Sequence, residues 1–527
     1  MLKASSLSEI MANLFRQKKT DLNVKGCLIV GTGFSGSSAA YHLVDELFAE
    51  PRIDIAMVEA VPSRRFAGVA YNSNDNPSYL QTNTPALAMS ITEDRPHHFS
   101  SWLRRYDGFS EEPRAEQVIE RVTYADYLAD AVSQKAQKHK CNGGKFSVLS
   151  GKVVDVQQKG KKVRAQFEDG KIAEARHIVV AAGNSMRKQL PCVTDDLLSH
   201  CGFSRYYLNG MSQPERAKLS YLPENAKVLV LGTLLSGDDV VRTMLRTTNI
   251  GHVTTVSRRG FRHQSYDEKI LPARRNEYAI PFPGAFYLFG RGNDDALVQE
   301  VAEEFRKLTG FKPNFETGEI ERDFLQPLRK RFGQAYGTDE VLASWEARLR
   351  FLHNDEYPLK DIFGRHGSMI NALRVHAGQD GSKEVSRAMK QGKVTLKRAT
   401  ILAIEPDTHL GHGLKVIFAD SAGSEEAEHF DAVISALGPR YDYENGGDSL
   451  MTSILERGYT TPHATGIGVN TTHKYQLPDA KRISVVGPAS SGVTMLKYGV
   501  IGPPAFSVPG MRPGIRSAMK QIVHDFR

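Results

Sequence analysis

Apolar residues follow two different periods along this chain, and the two periods alternate in a regular order. A continuous apolar run at 24–30 precedes a one-sided apolar pattern at 37–48, and a second apolar run follows at 53–58. Continuous runs of this length are typical of buried strands, whereas the one-sided pattern is typical of an amphipathic helix. The order strand, helix, strand predicts a parallel sheet covered by helices, which is an α/β fold.

A glycine-rich turn joins the first strand to its helix and reads Gly31-Thr32-Gly33-Phe34-Ser35-Gly36. The first glycine allows a sharp turn, the second lets a pyrophosphate approach the backbone, and the third lets the helix pack closely on the strand. The N–H groups and the dipole at the helix N-terminus would then face the phosphates. The candidate cofactor-binding residues of this turn are Gly31, Gly33, Phe34, Ser35 and Gly36.

The second strand ends in an acid, Glu59. A carboxylate at this place accepts hydrogen bonds from both ribose hydroxyls and repels a phosphate at the 2′ position. The first unit is therefore suited to FAD or NAD rather than to NADP. The alternative is a glycine-rich turn that binds no ligand.

A second unit of the same kind begins near residue 226. An apolar run at 227–231 leads into Gly232, Ser236 and Gly237, and the next strand, at 252–256, ends in Ser257-Arg258-Arg259. Arginine pairs with a 2′-phosphate through charge-assisted hydrogen bonds, so Gly232, Ser236, Arg258 and Arg259 are candidate NADPH-binding residues. Leu234 replaces the middle glycine and would crowd a pyrophosphate, and the alternative is a vestigial unit with two surface arginines.

The segments between and after the two units indicate how the chain is divided into domains. The long aperiodic segment at 61–96 carries aromatic residues and is expected to form an active-site wall, because loops of this length in a compact protein are usually functional. Within it, Tyr71 and Asn83 are candidates for orienting substrate or flavin, with a structural role as the alternative. A helix is expected at 122–136, a strand group at 146–180 ending in Ala182-Gly183, and further strands at 430–437 and 482–486.

We expect two Rossmann-like, three-layer α/β domains with a mostly helical insertion. Residues 1–220 and 430–527 form the expected first domain, which is discontinuous, and residues 221–429 form the second. The βα pattern is lost at about 261–390, where helical segments are expected at 294–308, 319–332 and 338–352. This insertion would cover the active site or form a subunit contact, so a homo-oligomer is possible.

Bulk composition narrows the function classes. The net charge is +8, but no nucleic-acid recognition motif accompanies it, so anionic cofactors or substrates are expected instead of nucleic acid. No apolar run is long enough to span a membrane. The four cysteines form no CxxC pair, which argues against a thiol–disulfide reductase and against zinc and fits a cytoplasmic setting. No metal site is expected, and the partner expected is a small-molecule substrate.

Taken together, these motifs resemble those of the two-dinucleotide-domain flavoproteins. A bacterial family of FAD/NAD(P)-binding proteins is similar over Arg65–Tyr71, Leu80–Ala86 and Phe99–Leu103. The resemblance implies FAD in the first unit, with Gly183 and Gly487 at strand ends beside it, and NADPH in the second.

A more distant likeness is to the flavin monooxygenases that N-hydroxylate lysine or ornithine side chains. It rests on Leu80-Gln81, on 99–103 and on 121–128. The likeness implies that Gln81 lies beside the flavin and that NADPH reduces FAD, which makes Gln81 a catalytic candidate together with Asn83 and Tyr71. An NADPH-dependent flavin monooxygenase acting on an amino-acid-like or other small substrate is therefore expected. The alternatives are an FAD-dependent oxidase or dehydrogenase that does not use NADPH, and a flavin-binding scaffold protein.

Overall fold

The fold is given by a computed structural model of the 527-residue chain. The structure describes residues 22–47, 53–106, 111, 113, 117–183, 187–258, 260, 262–265, 376–440, 443, 448–498 and 507–527.

The chain divides into two compact units. The first comprises residues 1–186, 346–365 and 441–527, and the second comprises 187–345 and 366–440. The second unit thus extends further in both directions than the expected 221–429.

The first unit is built on a largely parallel sheet. Its central strands lie in the order β18-β6-β1-β2-β3, all parallel, with β17 antiparallel at one edge and the β4–β5 hairpin paired to β6. The strands are β1 Leu22–Val30, β2 Ile55–Glu59, β3 Phe146–Ser150, β4 Val153–Lys159, β5 Lys162–Phe167, β6 Ile172–Val180, β17 Gln476–Leu477 and β18 Ala480–Val485.

Helices cover one face of this sheet, and the hairpin and a further helix cover the other. Alternate residues of β1 point to opposite faces, so Cys27 and Ile29 pack with three long helices while Leu28 and Val30 pack against the hairpin side. The helices are α1 Phe34–Glu46, α2 Gly68–Tyr71, α3 His98–Leu103, α4 Arg121–Cys141, α10 Ser449–Glu456, α11 Ser491–Tyr498 and α12 Val508–Phe526. The three long ones are α1, α4 and α12, and α10 packs on β4.

The second unit contains a five-stranded parallel sheet and a separate three-stranded antiparallel sheet. The parallel order is β12-β9-β8-β16-β7, and the antiparallel order is β13-β14-β15. The strands are β7 Tyr207–Leu208, β8 Ala226–Leu231, β9 Ile250–Ser257, β10 Gln264–Ser265, β11 His376–Ala377, β12 Val394–Arg398, β13 Thr400–Pro406, β14 Leu414–Ala419, β15 Glu425–Phe430 and β16 Ala432–Ser435. The helices are α5 Asp195–Ser199, α6 Cys201–Ser204, α7 Gln213–Ala217, α8 Leu235–Met244 and α9 Gln379–Lys390.

Strand β16 explains why the observed boundaries differ from the expected ones. The sequence places the apolar run at 430–437 in the first domain, because the run ends in a small-residue turn like that of β6. In the structure β16 pairs with β8, from Ala432 beside Val228 to Ser435 beside Leu231, so it belongs to the second sheet. Its turn resembles that of β6 because β16 holds the same position beside β8 that β6 holds beside β1.

The structure can be compared with the expected fold class and with the expected insertion. The α/β class with two parallel sheets is confirmed. Most of the expected insertion, including its three helical segments, lies outside the described residues, but α9 lies within 261–390 and packs on α8. Among the described helices, none combines the length and the apolar character that crossing a membrane requires.

Buried histidines in the first unit make its stability depend on pH. His177 lies on β6, is fully buried and hydrogen-bonds through Nε2 to Ser484 Oγ at 3.0 Å. Burial lowers the pKa of His177 to about 3 and that of His42 to about 4. Both side chains are therefore neutral in the folded protein at pH 5, whereas an unfolded histidine with a pKa near 6.5 takes up a proton there.

We expect the free energy of unfolding to fall as the pH falls below about 6.5, with each histidine contributing about 1.4 kcal/mol per pH unit. The loss continues until the pH passes the lowered folded-state pKa values, and it is absent above pH 6.5. Urea unfolding at pH 7, 6 and 5 measures the slope. His177→Asn should reduce the slope of unfolding free energy against pH by about 1.4 kcal/mol per pH unit, the contribution of one histidine. His524→Asn is the control, because this residue is exposed, and it should leave the slope unchanged. Equal slopes in the wild type and both variants would contradict the assignment to His177.

Candidate functional site

The carboxyl ends of four adjacent strands bring together the residues expected to bind the first cofactor. Gly31 follows β1, Glu59 ends β2, Gly183 lies just beyond β6, and Gly487 lies just beyond β18. Backbone hydrogen bonds of 2.8–3.0 Å align these ends, from the N–H groups of Gly31, Ala181 and Val486 to the neighbouring strands. Ligands of α/β sheets bind at this edge, and the four residues form one continuous rim there.

Two of the turn glycines are required by the packing of the backbone. Gly31 has φ +98°, and a Cβ atom there would lie 2.3 Å from the carbonyl oxygen of Ala181. A Cβ atom at Gly36 would lie 1.9 Å from the carbonyl oxygen of Gly31. No side chain fits at either place, so these glycines set the path of the turn and the close contact between α1 and β1.

Gly33 has a different role, because it leaves space at the helix N-terminus. It is the N-cap of α1, no side chain caps this helix, and the first turn carries no acid. A Cβ atom at Gly33 would lie 3.3 Å from Cα of Gly68, a glycine with φ +58° that faces it from the start of α2. An uncapped helix start flanked by two glycines fits a pyrophosphate, because the backbone N–H groups are available and no side chain blocks the approach.

Glu59 is held in place by three hydrogen bonds. One carboxylate oxygen accepts from the backbone N–H of Thr32 at 3.2 Å and from its hydroxyl at 2.7 Å, and the other accepts from Val61 N–H at 3.2 Å. The Thr32 hydroxyl oxygen also accepts from Phe66 N–H at 3.1 Å. Glu59 is buried, and its orientation is therefore set before any ribose binds.

The other residues expected at the first cofactor lie around this rim. The Phe34 side chain is buried, and its ring centroid lies 6.5 Å from that of Tyr124. Only the backbone N–H of Phe34 is therefore available to a phosphate. The Ser35 hydroxyl lies 3.7 Å from the Met511 sulfur. A Cβ atom at Gly487, which has φ +83°, would lie 2.4 Å from the Ser35 hydroxyl. Gly183, with φ +74°, has open space around it.

The catalytic candidates lie in the segment that follows β2, within the same unit, with Tyr71 at the end of α2 and the other two beyond it. Gln81 is half-buried, and its carbonyl oxygen accepts a hydrogen bond from Arg121 Nε at 2.9 Å. Tyr71 is also half-buried, and its ring lies edge-on to Tyr124 at 4.8 Å. Burial raises the pKa of Tyr71 to about 12, so its hydroxyl stays protonated at neutral pH and can donate a hydrogen bond. Asn83 is half-buried in the same segment.

The second unit repeats the geometry of the first turn with one replacement. Gly232 has φ +115°, and a Cβ atom there would lie 2.8 Å from the Ala436 carbonyl oxygen. A Cβ atom at Gly237 would lie 2.4 Å from the Gly232 carbonyl oxygen. Leu234 is the N-cap of α8, as Gly33 is of α1, and Ser236 is exposed in the first turn. The first and third glycines are thus retained, and the middle position carries a half-buried leucine.

Strand register identifies the residue of the second unit that corresponds to Glu59. Gly31 N–H donates to Val58 O at 2.8 Å, and Gly232 N–H donates to Val256 O at 2.9 Å. The residue after Val256 is Ser257, which therefore takes the place of the acid. The correspondence extends to the side chains, because Thr233 donates to the Ser257 hydroxyl at 3.1 Å as Thr32 donates to Glu59. Arg258 follows and is exposed, and Arg259 lies outside the described residues.

Three features of the two sites are missing from the predictions made from sequence. Gly68, the first residue of the short helix α2, faces Gly33, and no periodicity in the sequence indicates this contact. Thr32 supports Glu59 from inside the glycine motif. Ser257 precedes the two arginines at the end of its strand, and only an alignment of the two strand ends on Val58 and Val256 shows that it takes the place of Glu59.

Comparison with known proteins agrees with this reading of the first unit. Residues 28–185, which include the glycine turn, Glu59 and Gly183, match the model of a family described as FAD-NAD(P)-binding. Curated protein sequences contain no match to this chain.

Solved structures share the fold at low sequence identity. The reduced ornithine hydroxylase of Pseudomonas aeruginosa is 14% identical, with a TM-score of 0.55, and covers 96% of this chain and 100% of its own. The ornithine N-hydroxylase of Kutzneria sp. 744 is 13% identical, with the same TM-score and coverages. The bacillithiol disulfide reductase of Staphylococcus aureus is 12% identical, with a TM-score of 0.51 and the same coverages. The chain therefore shares its fold with these two hydroxylases and this reductase, and its first unit is similar to an FAD-NAD(P)-binding family.

Proposed function

We propose that the protein is an NADPH-dependent flavin monooxygenase that acts on a small, amine-bearing substrate. The observation that carries the proposal is the matched pair of strand ends, with Glu59 in one unit and Ser257-Arg258 in the other. The first favours a ribose with free hydroxyls, as in FAD, and the second favours a ribose with a 2′-phosphate, as in NADPH.

The first unit supplies the FAD site. Backbone N–H groups at the start of α1 would bind the pyrophosphate between Gly33 and Gly68, and Glu59 would accept from the adenosine ribose. FAD, when bound, supplies hydride acceptance and the activation of dioxygen. The chain would contribute the segment around Gln81 and Tyr71, whose half-buried polar groups would orient the substrate by hydrogen bonds.

The second unit supplies the site proposed for NADPH. Ser257 carries no charge, so it does not repel a phosphate, and the exposed Arg258 guanidinium is available to pair with one. The N–H groups of α8 near Ser236 would face the pyrophosphate.

The substrate class rests on fold neighbours. The ornithine N-hydroxylase of Kutzneria was solved with NADP⁺ and L-ornithine, and a cadaverine monooxygenase of Erwinia amylovora, 9% identical with a TM-score of 0.53, was solved with FAD. Both names specify a small amine. The reductase among the neighbours is less favoured, because no CxxC pair is present in this chain.

Leu234 favours a second candidate, an FAD-dependent oxidase or dehydrogenase that takes electrons directly from its substrate. A leucine side chain at the middle glycine position would occupy the space through which a pyrophosphate approaches the helix N-terminus. In that case the second unit would be a structural copy without a nucleotide.

Anaerobic reduction of the purified protein distinguishes the two candidates. Bleaching of the flavin absorption by NADPH, faster than by NADH, supports the monooxygenase proposal. Bleaching by an organic substrate alone, with neither nicotinamide effective, supports the oxidase instead. Release of hydroxylated amine in the presence of oxygen and NADPH then tests the monooxygenase reaction itself.

Arg258→Ala tests the site proposed for the 2′-phosphate. We expect KM for NADPH to rise at least tenfold while KM for NADH changes little, because only NADPH loses an ion pair. Arg205→Ala is the matched control, since Arg205 is exposed in the same unit but precedes β7, at the opposite end of the sheet. An unchanged preference between the nucleotides in Arg258→Ala would remove Arg258 from the site.

A further inference from the structure

Two histidines and an aspartate come together at the amino end of β16. His412 lies in the loop between β13 and β14, His429 lies on β15, and Asp431 joins β15 to β16. One ligand atom from each residue lies within 4.8 Å of the others. The Asp431 carboxylate oxygen is 3.6 Å from His412 Nε2 and 3.7 Å from His429 Nε2.

Both imidazoles form their hydrogen bonds through Nδ1, which leaves the Nε2 atom of each ring able to bind a metal ion. His412 Nδ1 lies 3.0 Å from the carbonyl oxygen of Leu410, which can only accept, so Nδ1 carries the proton. His429 Nδ1 lies 3.0 Å from the Asp407 carboxylate, which imposes the same tautomer. In each neutral ring Nε2 then carries a lone pair. His429 Nε2 is buried and has no hydrogen-bond partner.

The outer residues of this cluster are themselves fixed. The second oxygen of Asp407 accepts from the backbone N–H groups of His409 and Leu410 at 3.0 and 3.1 Å. One oxygen of Asp431 accepts from Lys227 N–H at 2.7 Å, which directs the other oxygen towards the histidines. A carboxylate behind a ligating histidine and a hydrogen bond behind a ligating carboxylate are typical of metal sites in proteins.

We propose that His412, His429 and Asp431 bind a divalent transition-metal ion of the zinc type, with water in the fourth position. Two histidines and a carboxylate suit Zn²⁺ better than Mg²⁺ or Ca²⁺, which prefer oxygen ligands. Bonds of about 2.0–2.1 Å in a tetrahedral site place ligand atoms roughly 3.3 Å apart. The two histidine–aspartate distances of 3.6 and 3.7 Å would then shorten by a few tenths of an ångström, and the distance between the two imidazole ligand atoms, which is at most 4.8 Å, would shorten by up to about 1.5 Å.

The site lies away from the nucleotide edge of the second sheet. Asp431 is beside Lys227 at the start of β8, whereas Gly232 follows the end of that strand. Five residues of strand span about 16 Å, so the ion is not a reactant at the nucleotide site. The ion would link the loop at 407–413 to the residue that precedes β16. The sequence gives no sign of the site, because the spacing from His412 to His429 matches no metal-binding motif.

Zinc titration of the full-length, tag-free flavoprotein tests the proposal, after a chelator has been used and removed. Competition with a chromophoric chelator should give one tight site per chain, and Co²⁺ should give the visible absorption of a tetrahedral complex. His412→Ala and His429→Gln should weaken zinc binding at least 100-fold. His409→Ala, on the same loop but outside the cluster, should bind zinc as the wild type does.

Asp407→Asn tests the outer residue without altering the ligands. The asparagine carbonyl can still accept from the loop N–H groups, but its amide would face His429 Nδ1 and favour the tautomer that blocks Nε2. We expect zinc affinity to fall about 10–100-fold, the usual range for such partners. Retained flavin content and circular dichroism show that each variant is folded. Zinc binding in His429→Gln and His412→Ala that is as tight as in the wild type would overturn the proposal, whatever the flavin reaction proves to be.

Discussion

Gly33→Leu is expected to remove the bound flavin and leave the fold of the first unit intact. The substitution introduces into the first unit the residue that the second unit carries at Leu234. A leucine side chain at Gly33 would fill the gap to Gly68, because even its Cβ atom would lie 3.3 Å from Cα of Gly68. The rest of the side chain would cover the uncapped start of α1. We expect the affinity for FAD to fall at least 100-fold, equivalent to about 2.7 kcal/mol. The ratio of flavin to protein absorbance after gel filtration measures the loss.

Two other glycine substitutions show whether the effect belongs to the site. Gly160→Asn places a side chain in the β4–β5 turn, where the glycine has φ +57° and open space around it, and asparagine tolerates that conformation. This variant should retain FAD. Gly36→Ala should instead unfold the unit, because its Cβ would overlap the Gly31 carbonyl oxygen. A Gly33→Leu protein that retains its full flavin content would refute the phosphate site at α1.

Ser257→Glu is expected to reverse the nucleotide preference of the second unit. Glutamate at this place reproduces Glu59, and Thr233 is positioned to donate to it as Thr32 does in the first unit. The carboxylate would repel a 2′-phosphate and accept from free ribose hydroxyls. We expect kcat/KM for NADPH to fall about 100-fold, which is about 2.7 kcal/mol in transition-state stabilisation, and that for NADH to rise or stay constant.

The matched variant is Ser257→Gln, which has the size of glutamate without its charge. Ser257→Gln should lower kcat/KM for NADPH much less than Ser257→Glu does. Equal losses in the two variants would indicate crowding instead of repulsion. Absence of any nicotinamide-dependent reduction in the wild type would favour the oxidase candidate and leave the zinc proposal unaffected.

The first site could be predicted largely from sequence because each of its parts is local. The apolar run, the glycine turn and the helix lie within 24–48, and close packing of α1 on β1 demands Gly31 and Gly36. The acid Glu59 follows from the end of the next strand. Periodicity does not resolve the first turn of a helix, and α1 therefore begins at Phe34 and not at the expected 37.

Features that depend on distant pairing could not be predicted in this way. The assignment of β16 to the second sheet rests on its pairing with β8, about two hundred residues earlier, and no local pattern specifies that partner. The zinc cluster joins a loop to the ends of two strands, and its residues look like ordinary surface histidines in the sequence. The roles of Gln81, Asn83 and Tyr71 remain predictions.

The Thr32 hydroxyl connects two parts of the first unit that a cofactor would contact separately. It donates to Glu59 and accepts from Phe66 N–H, so the acid and the segment that leads into α2 at Gly68 share one polar atom. In a buried chain of hydrogen bonds each bond polarises the next, and loss of one weakens the other. We therefore expect binding of a ribose at Glu59 and ordering of the segment around Phe66 to be thermodynamically linked through the Thr32 hydroxyl.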